Sequence, residues 1–403
     1  MQKHEIKLLL TLALVQFTHI MDSMVMMPMG PNLKASFHID SPQFNALVGS
    51  YGIAAFFSAI VATFWMDKFD RKSVLRTLYV GFLLGTLACA MSPTYQTLLA
   101  ARIFTGLFGG IAGAVILSIV GDVIPLERRA RGMGILMSGF SLAAVAGVPI
   151  GIFLSETYSW HTPFYMICIM GIFVLAAIQF TVPSITIHLE NKNQKDDEPK
   201  LYSSVFNSAN QLRALLFSFT YVLAHFAIIP NLSDYLVSNL HFDMKTQLVW
   251  MYILGGILSS VTSPLWGKLA DKFGRFKVFM VLSILSFFPI FLISNFESSS
   301  LILLLPVTCM FFIFSGGRMI PASAMITAAV PPQLRGGFMS LNSALQQLAV
   351  GLMGLTGGFI ITNDKVTHAL HNYPMLGYLG IGFTVVSIVV GMGVKTFGHN
   401  GAR

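Results

Sequence analysis

Long stretches of this chain carry almost no charge, and their spacing organises the whole sequence. Read with a window of about 19 residues, apolar runs stand near residues 7–29, 44–66, 75–92, 97–121, 132–154 and 162–183, and again near 212–236, 247–270, 277–295, 301–329, 337–361 and 372–396. Each is long enough for a helix to cross a bilayer core of roughly 30 Å. The runs are continuously apolar rather than alternating, so backbone polar groups must be closed within helices and not around a β-barrel. One long polar stretch interrupts them, Glu190 to Lys200 (ENKNQKDDEPK), whose charge and low hydrophobicity mark a linker. It predicts an N-terminal bundle over 1–184, a cytoplasmic linker over 185–211 and a C-terminal bundle over 212–403. The first run follows Lys3 and Lys7 as a signal peptide would, but it is too long for an h-region and is read as a retained helix.

Composition sharpens this picture. Of 403 residues, 55% are hydrophobic and only 10% charged, against about a quarter charged in soluble domains. A soluble enzyme, a secreted scaffold and a disordered hub are thereby excluded. The net charge of +8 does not call for nucleic acid. Of the Lys and Arg residues, Lys34, Lys245 and Lys365 fall on one set of loops, Arg102 and Arg318 fall within runs, and all others gather on the opposite side. The positive-inside rule then puts both termini in the cytoplasm. Cys89, Cys168 and Cys309 lie in apolar runs at no metal or disulfide spacing; neither a metal nor a cofactor is expected.

The chain also repeats itself. Asp67-Lys-Phe-Asp-Arg71 returns as Asp271-Lys-Phe-Gly-Arg275, a shift of 204 that also carries Gly52 onto Gly256, Arg131-Gly132 onto Arg335-Gly336 and Gly147 onto Gly351. One gapless offset over four elements predicts two six-helix halves of like orientation, the parallel repeat of a rocking carrier. The expected fold class is an all-α membrane protein, twelve transmembrane helices in two pseudo-symmetric six-helix bundles.

The segment Gly267-Lys-Leu-Ala-Asp271-Lys-Phe-Gly274-Arg275 resembles the signature loop of the major facilitator superfamily, and the resemblance extends over all twelve runs. The first-half copy has Thr63 and Asp70 where glycines are usual but keeps Asp67, Arg71 and Lys72. Arg102 with Gly106 resembles the superfamily's fourth-helix arginine motif, with Thr105 in place of glutamine. Gly147-Val-Pro149-Ile-Gly151, followed by Trp160, resembles the antiporter signature of the sugar-efflux and arabinose-efflux-like branch of the drug:proton antiporters, with His161 where an arginine is usual. The resemblance implies a latch on the cytoplasmic side: Asp67 against the start of the eleventh helix at Gly336 and Gly337, Asp271 against the start of the fifth near Gly132, and Arg71 paired with Asp122. A carboxylate against a helix N-terminus gains about 0.3–1 kcal/mol. The plainer alternative, loops that only satisfy the positive-inside rule, accounts for Lys and Arg but not for the repeated aspartates. Gly147, Pro149 and Gly151 allow close approach and a bend, which ordinary membrane packing also uses.

A charge near the bilayer centre costs at least about 2.5 kcal/mol and persists mainly where it works. Asp22, Arg102, His225 and Arg318 lie in the first, fourth, seventh and tenth runs, the helices that line the central cavity in the fold the resemblance implies. Asp22 is the proton-carrier candidate, with His19 three residues earlier on the same face; a static salt bridge to Arg102 or Arg318 is the alternative. The two arginines present planar forks suited to carboxylate or phosphate, with Arg318 the safer choice because Arg102 stands near the outer end of its run. Asn231, Asn342, Gln346 and Gln347 add hydrogen-bonding groups or helix–helix contacts. Met21, Met24, Met26, Met27 and Met29 form either a promiscuous apolar wall or plain packing.

No nucleophile–base set, His-Glu zinc motif or phosphate loop supports an intramembrane enzyme. The expected function is secondary active transport by rocker-switch alternating access: proton-coupled efflux of a small organic compound, whether a drug, a sugar-like molecule or an anionic metabolite. An importer or uniporter of a polar metabolite or amphiphilic lipid is the alternative. The expected partners are a small-molecule substrate, protons and the bilayer, with a monomer in a bacterial inner membrane.

Overall fold

A computed structural model describes residues 2–62, 66–186, 208–331, 334–364, 367 and 369–397. Twelve helices in it are long and apolar enough to cross a membrane. They are α1 (Lys3–Val25), α2 (Ser41–Ala62), α3 (Arg71–Ala90), α4 (Tyr95–Val123), α5 (Arg131–Thr157), α6 (Thr162–Thr181), α7 (Ala209–Ser238), α8 (Met244–Phe273), α9 (Arg275–Ser294), α10 (Leu301–Ala328), α11 (Arg335–Ile360) and α12 (Tyr373–Met392). Twelve crossings return the chain to the face on which it began, here called the terminal face; the opposite one is the distal face. Most of the predicted linker lies outside the described residues.

The 204-residue shift is visible in the helices themselves. It carries α3 onto α9 from first residue to last, and the start of α5 onto the start of α11. The register slips only before α12, where a short antiparallel ladder pairs Thr362–Asn363 with Leu370–His371. One boundary differs from the pattern. The first run was expected to reach residue 29, but α1 ends at Val25, a turn covers Met26 to Met29, and Gly30–Phe37 forms a separate short helix on the distal face. The five methionines of this stretch are packed into the core of the N-terminal half.

Local chemistry sets the helix ends. Asp70 caps α3 by accepting from the Lys72 and Ser73 amides, Thr94 and Thr97 form a reciprocal box at the start of α4, and Asp243 caps α8 through the Thr246 amide. Gly274 turns the chain from α8 into α9 at a φ of 96°, a backbone region that favours glycine.

Two pairs of helices related by the repeat form the seams between the halves, and α4 also touches α11. Along α2 and α11, a side chain at Gly52 would meet the Gln347 carbonyl and the Gly351 backbone; between α8 and α5, one at Gly256 would meet the backbone of Ala144 and Val145. Absence of side chains is what lets these backbones touch. The pairs then diverge. Contact along α2 and α11 runs from Pro42 against Gly358 on the distal side to a small void shared by Ala59, Met66, Ser340 and Leu341 on the terminal side. In contrast, α8 meets α5 at Ala143–Gly147 and Val148–Thr157, the distal part of that helix. Towards the terminal face, a side chain added at Gly134 of α5 or Gly267 of α8 would meet nothing within 4 Å.

Candidate functional site

Asp22 lies on α1, fully buried, and its carboxylate accepts from two directions: Arg102 Nη1 on α4 at 2.8 Å and Thr86 Oγ1 on α3 at 3.2 Å. The Arg102 guanidinium also lies 4.5 Å from the centre of the Tyr51 ring, and Tyr51 Oη shares a 2.8 Å hydrogen bond with His19 Nε2. Sidedness follows from helix geometry: His19 and Asp22 are three residues apart, so they rise from one face of α1. One chain of polar groups thus links α1, α2, α3 and α4 inside the N-terminal half. Arg102 is 1% exposed. It does stand near the distal end of α4 (Tyr95–Val123), but the expectation that it reaches water there is corrected: a carboxylate at 2.8 Å holds it in the interior.

The C-terminal half has a different arrangement. Arg318 sits at a break in α10, two residues past the wide turn Phe312–Gly316, the kind of irregularity that accompanies functional sites. Its Nη1 donates to Thr384 Oγ1 on α12 at 2.9 Å and to Ser286 Oγ on α9 at 3.4 Å. Among the described residues its Nε and Nη2 are buried with no hydrogen-bond partner, as is the nearby Ser283 hydroxyl of α9. No carboxylate pairs with it among the described residues. His225 shares a 3.1 Å hydrogen bond with Ser315 and stacks on Phe311, while Gln346 Nε2 donates to Ser218 and Tyr221, both at 3.0 Å.

Asp22 and Arg318 therefore do not face each other where the halves meet. Each points into its own bundle, Asp22 toward α3 and Arg318 toward α9 and α12. Hydroxyls on those outer helices draw them there, and an apolar-run pattern carries no record of which neighbour supplies a hydroxyl. Asn342 Oδ1 is buried without a partner among the described residues.

Asn231 was expected in a cavity, but it forms a reciprocal amide pair with Asn45 across the halves, at 2.8 and 3.0 Å. Next to it lies the residue that reading the runs passed over. Asp234 is 1% exposed in the last turns of α7, and its carboxylate accepts from Lys34 of the short distal helix. The signal was present, since Asp234 falls inside the predicted seventh run, yet it was not counted among the ionisable residues there.

On the terminal face, Arg71 Nε lies 3.3 Å from Asp122 Oδ2. The side chain of Asp67 is outside the described residues. Asp271 is exposed without a polar partner among the described residues, and Gly132 packs on Leu9 and Ile124 instead of on α8. The contact expected between Asp271 and the start of α5 is absent because α5 and α8 have parted on this side. Arg275 Nη1 donates to the Ala324 carbonyl of α10. Asp70, where the resembling loop usually has glycine, accepts from the Ile185 amide at 2.6 Å and so ties the start of α3 to the segment after α6. Partial burial pushes this carboxyl up, but donation from Ile185, Lys72 and Ser73 outweighs it and leaves it below the usual carboxylate range.

Gly147 and Gly151 have an internal explanation. Side chains there would meet Met21 at 3.2 Å and Val25 at 2.2 Å, so their smallness lets α5 lie against α1. Pro149 follows the wide turn Ala143–Gly147, where a missing amide donor is tolerated.

A family model described as Major Facilitator Superfamily matches residues 12–354 and 214–397. The chain belongs to the major facilitator superfamily. Among superfamily relatives, it is 23% identical over 400 residues to the Bacillus subtilis protein named Uncharacterized MFS-type transporter YceJ, covering 96% of each chain. It is 26% identical to Multidrug resistance protein MdtG of Proteus mirabilis, covering 80% of this chain and 81% of that one. In fold it is similar to the inward-open xylose transporter XylE from E. coli, with a TM-score of 0.73 at 15% identity, covering 98% and 97% of the two chains. As a member of this superfamily with twelve apolar helices, it is a multi-pass membrane protein built as transporters are.

Proposed function

We propose that this protein is a secondary active transporter that exports a small anionic, zwitterionic or polar organic compound in exchange for protons. One observation carries the reading: two repeat-related, glycine-lined contacts join the halves, both closed on the distal side, while α5 and α8 have separated on the terminal side. Such a molecule can exchange the closed side for the open one by tilting its halves, which is alternating access. With the positive-inside orientation the terminal face is cytoplasmic, so this is the inward-facing state in a cell membrane, for which a bacterial inner membrane is the best fit. Function as a carrier rather than an enzyme accords with the superfamily, and transport by a monomer with rigid halves 1–184 and 212–403 is part of the same proposal.

Asp22 is the proposed proton carrier, with His19 and Tyr51 as its neighbours. Protonation would release Arg102, since the pair lasts only while the carboxylate is charged. Arg318 is proposed to recognise the substrate's anionic group, because a buried guanidinium with two unpartnered nitrogens is expensive until an oxygen acceptor reaches it. His225 and Gln346 stand beside it as hydrogen-bonding groups. Arg71, Asp122, Asp67, Gly267, Asp271, Gly274 and Arg275 form the terminal-side latch in this reading, open at Asp271. Efflux as the direction is favoured by the Gly147-Pro149-Gly151 stretch and by similarity to a protein named for multidrug resistance.

The test is flux in proteoliposomes under an imposed pH gradient, with a compound first found by thermal shift from a panel of carboxylates, phosphates, sugars and cationic drugs. Substrate leaving as acid enters is the expected result; entry together with protons would make the protein an importer. Asp22→Asn is expected to abolish gradient-driven flux and spare counterflow, and Arg318→Ala to remove the thermal shift by anions alone.

A further inference from the structure

Proton coupling requires that a protonation event change the balance between the two orientations of the halves. A titrating group shifts that balance only if its interaction differs between them. The Asp22–Arg102, Arg71–Asp122 and Arg128–Glu5 pairs each lie within the N-terminal half, and His371–Asp364 lies within the C-terminal half. Among ion pairs between described residues, Lys34–Asp234 is the one that joins the two.

Its surroundings are those of a built joint. The helix Gly30–Phe37 that carries Lys34 is anchored to α5 of its own half by Asn32, whose Nδ2 donates to Ser155 Oγ at 2.9 Å and to the Glu156 carboxylate. Gly30 rests on the Phe44 ring, over which the Lys34 ammonium lies at 6.0 Å. Lys34 is thus a fixed arm reaching out from the N-terminal half, 11% exposed, and it also donates to Ser41 Oγ. On the receiving side, Asp234 takes the Lys34 ammonium on Oδ2 and the Ser238 hydroxyl on Oδ1 at 3.1 Å. Around it the Asn45–Asn231 pair and the 2.7 Å bond from the Ser41 amide to Asn363 Oδ1 complete the distal closure with neutral groups. Among the described residues, Lys34 is the charged group in contact with Asp234. Among them too, the Tyr373 phenol of α12 lies in its field, with the Tyr235 and Tyr252 phenols beside Tyr373, which is itself held to the Ile228 carbonyl.

We propose that Lys34 and Asp234 form a proton-operated latch on the distal face, in which a proton taken up by the Asp234 carboxylate frees the Lys34 ammonium and lets the halves part there. The balance is simple: one proton binds a carboxylate oxygen, Lys34 keeps its own, and the ion pair gives way to a neutral acid that Ser238 still holds. Water from the distal compartment then solvates Lys34. The proposal rests on the alternating-access reading but not on Asp22 as carrier or on any substrate. It adds a second titrating site, on the side from which protons would enter an exporter.

The test reads conformation without substrate. Spin labels at Ser36→Cys and His371→Cys, both exposed on the distal face and in opposite halves, are introduced in a cysteine-free background. Distances are then measured in lipid nanodiscs from pH 8 to pH 4. Acidification is expected to move the wild-type population from a short distance to a longer one. Asp234→Asn and, separately, Lys34→Gln are expected to cut the closed-to-open ratio about tenfold or more at pH 8 and to flatten its pH response, as loss of a partner in a buried pair does. The exchange Lys34→Asp with Asp234→Lys is expected to restore closure. A pH response retained in Asp234→Asn would overturn the latch, as would closure unaffected by either single change. If the latch behaves as stated while proteoliposomes show no proton-driven flux, the exporter reading fails and the latch stands.

Discussion

Arg102 and Arg318 are both buried arginines in transmembrane helices, yet their energetics differ in sign. Arg102 has a carboxylate at 2.8 Å and an aromatic face beside it. Breaking such a pair strands a charge and costs about 3–5 kcal/mol. Arg318 has two neutral hydroxyls and two unsatisfied nitrogens, so removing its charge relieves a desolvation penalty. Arg102→Leu is therefore expected to lower the melting temperature of the purified protein markedly, and Arg318→Leu to leave it unchanged or raise it while anion binding is lost. Equal falls in both would mean that Arg318 is a paired structural residue. The identity of these residues was legible from the cost of charge in an apolar run. Their partners were not, because Thr86, Ser286 and Thr384 sit in helices whose sequences show only occasional hydroxyls, and facing is a tertiary property.

At the scale of helices, glycine placement decides how closely the halves meet. A Cβ at Gly52 would lie 2.6 Å from the Gln347 carbonyl and 2.7 Å from the Gly351 amide, both backbone atoms that cannot turn aside. At the shift-related Gly256 the nearest atom is Val145 Cα at 3.1 Å. Overpacking costs about 1–3 kcal/mol. Gly52→Ala is expected to fall in that range and to slow transport severely, with Gly256→Ala clearly milder, as thermal melting and flux would measure; the reverse order would contradict the contact geometry. The repeat in the sequence named both glycines as equivalent. It could not say that one seam is tight along its length and the other parted at one end, since that is a property of the conformation.

For the molecule as a whole, the distal closure must open in every cycle if transport proceeds by rocking. Cysteines at Asn45 and Asn231, whose amides bond across the halves, joined by a reducible bifunctional thiosulfonate, are expected to stop flux completely. Reduction should restore it. Flux that persists through a verified cross-link would argue for a route other than the seam between the halves.

Span number, the doubling of the chain and the side bearing the basic loops were all legible in the residues, because a bilayer imposes length and charge rules on each segment separately. The shift of 204 shared by Asp67, Gly52, Arg131-Gly132 and Gly147 was enough to announce two like halves. Only tertiary structure decided that Asp22 answers to Arg102, that Arg318 has no counter-charge among the described residues, and that Lys34, an ordinary loop lysine by sequence, reaches Asp234 in the other half. The reason is physical. Span rules act locally and repeat with every helix, whereas pairing between buried polar groups depends on the rotation of each helix about its axis and on which half it meets. Those are set by packing among residues hundreds of positions apart.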